Sequence, residues 1–209
     1  MRKVGSKLFA VGHLALGYLL GRFSAKPLRT KVNVALLFTL SVFPDVDIFF
    51  PSFLEHRGPT HSVIVALVVF VPIFVVYRQR AIPYLVALVQ HSLLGDYLTG
   101  TQTQFFWPLT TQRYGMGVSI TSSTSMMLEW IVFFVSVLLL LKTRDFVRFF
   151  EPHVSNLVLI IPTFTVLLPL VIEFPLYVPF WLLPPHLVYV FLFLAAVLVA
   201  FFRFVKSSL

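Results

Sequence analysis

Ile131-Val-Phe-Phe-Val-Ser-Val-Leu-Leu-Leu-Leu141 is the stretch on which the fold turns. Its only polar side chain is Ser136, and nothing in it alternates between apolar and polar as a barrel strand must. Backbone in hydrocarbon is satisfied only within helices or closed barrels, so this run reads as a membrane helix. Around it, Val32–Phe43, Ser62–Tyr77, Ala81–Leu98, Met126–Leu141, Val154–Ile172 and His186–Phe204 repeat the pattern. The chain is thus expected to be an all-α polytopic bundle of six to seven spans. The count depends on Leu8–Leu20, a run shorter than the roughly 20 residues a full crossing needs.

Composition agrees. A hydrophobic content of 58%, charged content of 11% and mean hydropathy of +0.93 exclude an ordinary soluble domain. There is no cysteine, so a metal site would draw on His, Asp, Glu and water. The net charge of +8 suits cytoplasmic loops against anionic lipid, and no basic surface interleaved with aromatics suggests nucleic acid. No cleavable signal and no internal repeat is evident. Residues 1–142 read as the membrane-embedded core and 143–209 as additional C-terminal transmembrane helices.

Between two of the apolar runs lies Pro44-Asp-Val-Asp-Ile-Phe-Phe-Pro-Ser-Phe-Leu-Glu-His-Arg-Gly-Pro-Thr-His-Ser62. It holds Asp45, Asp47, Glu55, His56, Arg57 and His61, and ionisable groups next to hydrocarbon signal function. Asp and His are ligands for Zn²⁺, Mn²⁺ or Mg²⁺. Any one of them has an ordinary explanation as a polar turn residue; the group together does not. Asp45 and Asp47 would point the same way only on extended backbone. Gly58-Pro59 makes a turn, Thr60 or Ser62 can cap the next helix, and Arg57 can grip a phosphate or carboxylate fork-wise.

His91 and Asp96 lie about 140° apart on an α-helix. They reach one site only from its two sides, or if Gly95 loosens the turn; otherwise Asp96 orients a ligand histidine. Glu129 reads as ligand, base or helix-terminal charge, and His153, Glu173 and His186 as interfacial residues. The polar loop Thr99–Ser125, with Phe105, Phe106 and Trp107, is expected to lie as a lid at the interface. With seven crossings, five of the sixteen Lys and Arg fall on one face and eleven on the other. Positive-inside places the eleven in the cytoplasm, and His13, Asp45, Asp47, His56, His61, His91, Asp96 and Glu129 at the opposite face.

His13, Pro44-Asp45-Val-Asp47, His56-Arg57-Gly58-x-Thr60-His61-Ser62, His91-x4-Asp96, Trp107-Pro108 and the Ser/Thr-rich approach to Glu129 resemble the YdjM-like membrane-bound metal-dependent hydrolases. The resemblance covers about Gly12 to Trp130. The family's fourth span more often spaces its His and Asp by four rather than five, which leaves the role of Asp96 open. The resemblance implies hydrolysis by metal-activated water and names no substrate; Arg57 and the depth of the site point to a phosphoester, or similar bond, of a lipid-like substrate. On that reading His13, Asp45, Asp47, His61 and His91 hold the ion, most simply Zn²⁺, with Mn²⁺ or Mg²⁺ as alternatives. His56, Asp96 and Glu129 serve as acid, base or second shell, and Arg57 clamps the phosphate. The competing class is a cation or proton-coupled transporter built on the same cluster.

Overall fold

The computed structural model describes residues 9–50, 52–97, 102–116, 122–171 and 177–208. The basic head Arg2–Lys7, Thr99 and Glu173 lie outside the described residues. Seven α-helices carry the fold: α1 Ala10–Ala25, α2 Val34–Val42, α3 Val63–Tyr77, α4 Ile82–Gln90, α5 Ser123–Lys142, α6 Ile160–Val171 and α7 Leu183–Ser208. Among the described residues there is no strand, and a single bridge pairs Thr103 with Tyr114.

Helix α1 is the axis of the bundle. It is apolar all round, as a helix packed on every side must be, and it lies against α2, α4 and α5. Val11, Leu14, Ala15 and Tyr18 are fully buried in the main core, which also takes in Phe38 of α2, Phe133 of α5 and Tyr189 and Phe193 of α7. Tyr18 and Phe38 stack at 5.1 Å, and Phe38 meets Phe193 at 5.3 Å. The C-terminal helices thus share one core with the first two. Helix α1 also runs on through Arg22, past the Leu8–Leu20 run. Arg22 Nε pairs with Asp145 at 2.6 Å, and Tyr18 donates to the same carboxylate at 2.8 Å.

Helix ends show how the chain alternates. The start of α1 meets the end of α4, where the His13 and His91 rings stack at 3.8 Å, and the start of α7 lies beside Phe9. The far end of α1 meets the Arg22–Asp145 pair after α5, and the start of α2 meets Ser155 before α6 through Asn33. One end of the bundle therefore collects His13, Asp45, Asp47, His56, His61, His91 and Asp96, and the other collects basic turns.

Among the described residues four stretches are long and apolar enough to cross a membrane: Val63–Asp96, Ser123–Lys142, Val154–Val171 and Phe180–Ser207. The first doubles back on itself. Arg78 takes φ 53° after α3, and His61, just before the stretch, approaches Asp96 at its end to 3.5 Å. Pro83 opens α4 in its first turn, where its missing N–H costs nothing. Most of α3 is exposed, with Phe70 its one buried side chain among the described residues.

Candidate metal centre

The cluster is built by three departures from α-helix. After α2 the chain tightens into a 3₁₀ helix, Phe43–Phe49, opened by Pro44. Three residues per turn set positions two apart on different sides, so Asp45 and Asp47 diverge, where extended backbone would have aligned them. Asp45 Oδ1 faces His61 Nε2 at 3.4 Å and His91 Nε2 at 3.5 Å. Asp47 faces the following loop instead. Its Oδ1 meets His56 Nδ1 at 2.8 Å, and its Oδ2 accepts from the Arg57 N–H at 3.1 Å and the Thr60 hydroxyl at 2.9 Å.

That carboxylate shapes the loop. Arg57 is held at φ 64°, an uncommon conformation for a residue with a side chain, and Gly58 completes the turn. The loop ends at Ser62, which caps α3 by accepting from Val65 N at 3.3 Å. The Ser62 hydroxyl is also within reach of the carbonyls of Phe105 (3.1 Å) and Trp107 (2.6 Å). Gln104 N donates to Arg57 O at 3.1 Å. The described part of the polar loop is therefore docked on the His56–Ser62 turn, with Phe105 buried and Phe106 exposed.

The third departure is a π-helical turn, His91–Asp96, at the end of α4. A wider turn brings residues five apart toward one face, which an α-helix would not. Asp96 Oδ2 thereby lies 3.5 Å from His61 Nε2 and 3.9 Å from His91 Nε2. Gly95 makes the turn possible beside α1, since a Cβ there would stand 2.1 Å from His13 Cε1. Glycine inside a helical pattern was the signal for this close approach.

Asp45 Oδ1, His61 Nε2, His91 Nε2 and Asp96 Oδ2 form a closed ring of donor atoms with edges of 3.4, 3.5, 3.5 and 3.9 Å. Asp45, His61 and His91 make one group whose donor atoms all lie within 4.8 Å of one another, a set that could hold a divalent cation. His13, His91 and Asp96 make an overlapping group, as do Asp47, His56 and His61, each with donor atoms within 4.8 Å. The second imidazole nitrogens are turned outward: His91 Nδ1 donates to the Ser41 carbonyl at 2.8 Å, while His61 Nδ1 faces Thr60 Oγ1 at 3.1 Å and Asp47 Oδ2 at 3.4 Å. This carboxylate- or carbonyl-backed arrangement is what orients metal-ligating histidines. Asp47 thus stands behind His61 with its oxygens committed to the loop. Ser41 and Gln90 also build the site, and no motif announced them; Thr60, within the His56–Ser62 motif, supports Asp47 and His61 and leaves the cap to Ser62.

Electrostatics at the loop side follows the same geometry. Burial alone would lower the His61 imidazole, but hydrogen bonding to Asp45 and Asp47 and the charge of Asp96 push it up to about 9. Burial would raise Asp47, yet His56 and His61 hold it well below the usual carboxylate range. Asp45 is likewise depressed, by His91 and His61 against its own burial. The Arg57 guanidinium is buried, with one nitrogen 3.8 Å from Asp96 Oδ1, and burial draws its pKa down.

Glu129 sits elsewhere than at a helix start. It is two turns into α5, and its Oε1 accepts from Phe9 N at 2.6 Å, against the beginning of α1. His186 is buried, where an interfacial position was expected; its Nδ1 donates to Leu182 O at 2.7 Å and its ring lies edge-on to Phe9. His153 is exposed and caps the turn at Ser155.

No curated protein and no solved structure matches the chain. The family model of the YdjM inner membrane protein matches residues 9–207, well past the stretch that carries the sequence resemblance and through both C-terminal helices. With that match spanning nearly its whole length, the chain belongs to the YdjM inner membrane protein family.

Proposed function

We propose that this protein is a membrane-embedded, metal-dependent hydrolase acting on a phosphoester or similar bond of a lipid-like substrate. The observation that carries the reading is the cluster of Asp45, His61, His91 and Asp96, whose neighbouring donor atoms stand 3.4–3.9 Å apart, two imidazoles and two carboxylates turned toward one another. Zn²⁺ suits two imidazoles with two carboxylates best, and Mn²⁺ or Mg²⁺ is the alternative. When bound, such an ion supplies Lewis acidity and activates water.

The chain's own residues supply the rest. Arg57 stands beside Asp96 with a buried guanidinium whose Nε has no hydrogen-bond partner among the described residues, which suits it to a phosphate oxygen. His56, half-buried at the rim and backed by Asp47 at 2.8 Å, can hold or release a proton at the leaving group. Phe50, Phe53, Phe106 and Leu109 are exposed on the segments around this end, a surface fitted to an acyl or isoprenoid chain. We place the site on the non-cytoplasmic face and count six to seven crossings, because the basic turns gather at the other end.

A transporter would need a polar route away from the cluster. Below His13 the axis is filled instead by Leu14, Tyr18, Phe38 and Phe193, which favours the enzyme. The deciding experiment incubates purified protein with radiolabelled lipid and isoprenoid phosphates, with and without Zn²⁺ or Mn²⁺. Metal-dependent product that disappears in His61→Ala supports the proposal. No product, together with cation flux in reconstituted vesicles, replaces it with the transporter.

A further inference from the structure

Each histidine of the donor ring has its outer nitrogen fixed: His91 by the Ser41 carbonyl, His61 by Thr60 and Asp47. His13 differs. It is buried and stacked on His91, yet among the described residues its Nδ1 has no hydrogen-bond partner. Its ring is therefore aimed by where α1 sits, and not by a bond to the ring itself.

Helix α1 cannot set that position alone. Phe9, its N-cap, offers no side-chain acceptor, and no acid lies in its first turn. Helix starts leave backbone N–H groups without partners, and a buried start needs an acceptor from outside. Glu129 of α5 provides one by taking the Phe9 N–H at 2.6 Å, one turn before His13. On the far side, Gln90 Nε2 donates to the His13 carbonyl at 3.1 Å, and Gly95 leaves the notch into which the ring fits.

We infer that Glu129 is a positioning residue for the metal centre: by capping α1 across the bundle it sets the depth at which His13 meets His91 and Asp96. This rests on the metal-centre reading and gives Glu129 a role other than base. Acceptance of a backbone N–H requires an oxygen, not a titrating group, so glutamine can replace glutamate here and alanine cannot.

The test uses Co²⁺ alone, bound to the purified full chain, with its visible absorption and affinity as readouts. Wild type, Glu129→Gln, Glu129→Ala, His13→Ala and the Glu129→Ala/His13→Ala double variant are compared. Glu129→Ala and His13→Ala are expected to give the same altered spectrum and about 10–100-fold weaker Co²⁺ binding, the range for lost outer-shell support. The double variant should be no worse than either single one, and Glu129→Gln should match wild type. Phe9→Pro is the second variant should Glu129→Ala fail to fold. Phe9 has φ −71°, which proline adopts, so the change removes only the donated N–H and the ring, and the His13→Ala spectrum is again expected. A wild-type spectrum in Glu129→Ala or Phe9→Pro, additive effects in the double variant, or a Glu129→Gln spectrum like that of alanine overturns the inference. Wild-type protein that takes up no Co²⁺ would instead sink the metal reading on which it stands.

Discussion

At the scale of single residues, Asp47 and His61 show how much of the site lies in its support. His61 must be neutral at Nε2 to bind a cation, yet without one its imidazole titrates near 9. The folded value lies above the ordinary 6.5, so the protonated His61–Asp pairing stabilises the metal-free protein fully below about pH 6.5 and is lost as pH rises through about 9. Between those limits metal uptake has to release that proton. Metal affinity should therefore climb about tenfold per pH unit across the window, measurable by titration calorimetry in buffers of different ionisation enthalpy; a flat profile would contradict the His61 assignment. Asp47→Asn keeps the size of the side chain but gives up one of two acceptor oxygens and its charge. It should weaken metal binding by about 10–100-fold without abolishing it, whereas loss of binding as complete as in His61→Ala would make Asp47 a direct ligand.

At the scale of elements, two of the three non-α turns, the 3₁₀ helix and the π turn, are what the sequence left hidden. The residue types were legible: Asp45, His61, His91 and Asp96 stand out in a chain this apolar, and Ser62 as a cap and Pro83 as a helix opener were readable from local chemistry. Their aim was not. Extended backbone would have turned Asp45 and Asp47 alike, and the 3₁₀ helix aims Asp45 at His61 and His91 and Asp47 at the loop that follows. An α-helix would have split His91 from Asp96, and the π turn reunites them, a result that the five-residue spacing and Gly95 together allowed but did not require. Backbone hydrogen-bond pattern is a tertiary choice here, made where α4 meets α1. The π turn carries one residue more than an α-helix, so deleting Leu94 should restore α-geometry with His91 and Asp96 four apart, about 40° round the helix and still on one face. The expected result is a protein of unchanged helical circular dichroism whose metal affinity stays within about tenfold of wild type, whereas Asp96→Ala lowers it by more than about tenfold. Wild-type affinity in Asp96→Ala would show that Asp96 does not belong to the ring.

At the scale of the molecule, the bundle is polarised end to end. The donor ring, the Arg57 turn and the docked loop occupy one end; Arg22, Arg78, Arg80 and Lys142 lie at the other, with Arg22 tied to Asp145. This polarity was visible in the sequence as basic residues and ligand types falling on opposite sides of the spans. The closing of the C-terminal helices onto the same core was not, because apolar runs carry no record of their partners. Ser52 is exposed on the loop leading to His56. A cysteine there, the only one in the chain, should react with an impermeant thiol reagent in intact cells; labelling that requires an opened membrane would reverse the orientation.

The central claim is that Asp45, His61, His91 and Asp96 converge because they hold a divalent metal. Elemental analysis of gently purified wild-type protein beside His61→Ala tests it most directly, with circular dichroism confirming that both are folded. A divalent metal in fixed ratio to the wild-type chain, and its loss from His61→Ala, is the expected result. Folded wild-type protein free of metal, or a metal content that His61→Ala leaves unchanged, would contradict it.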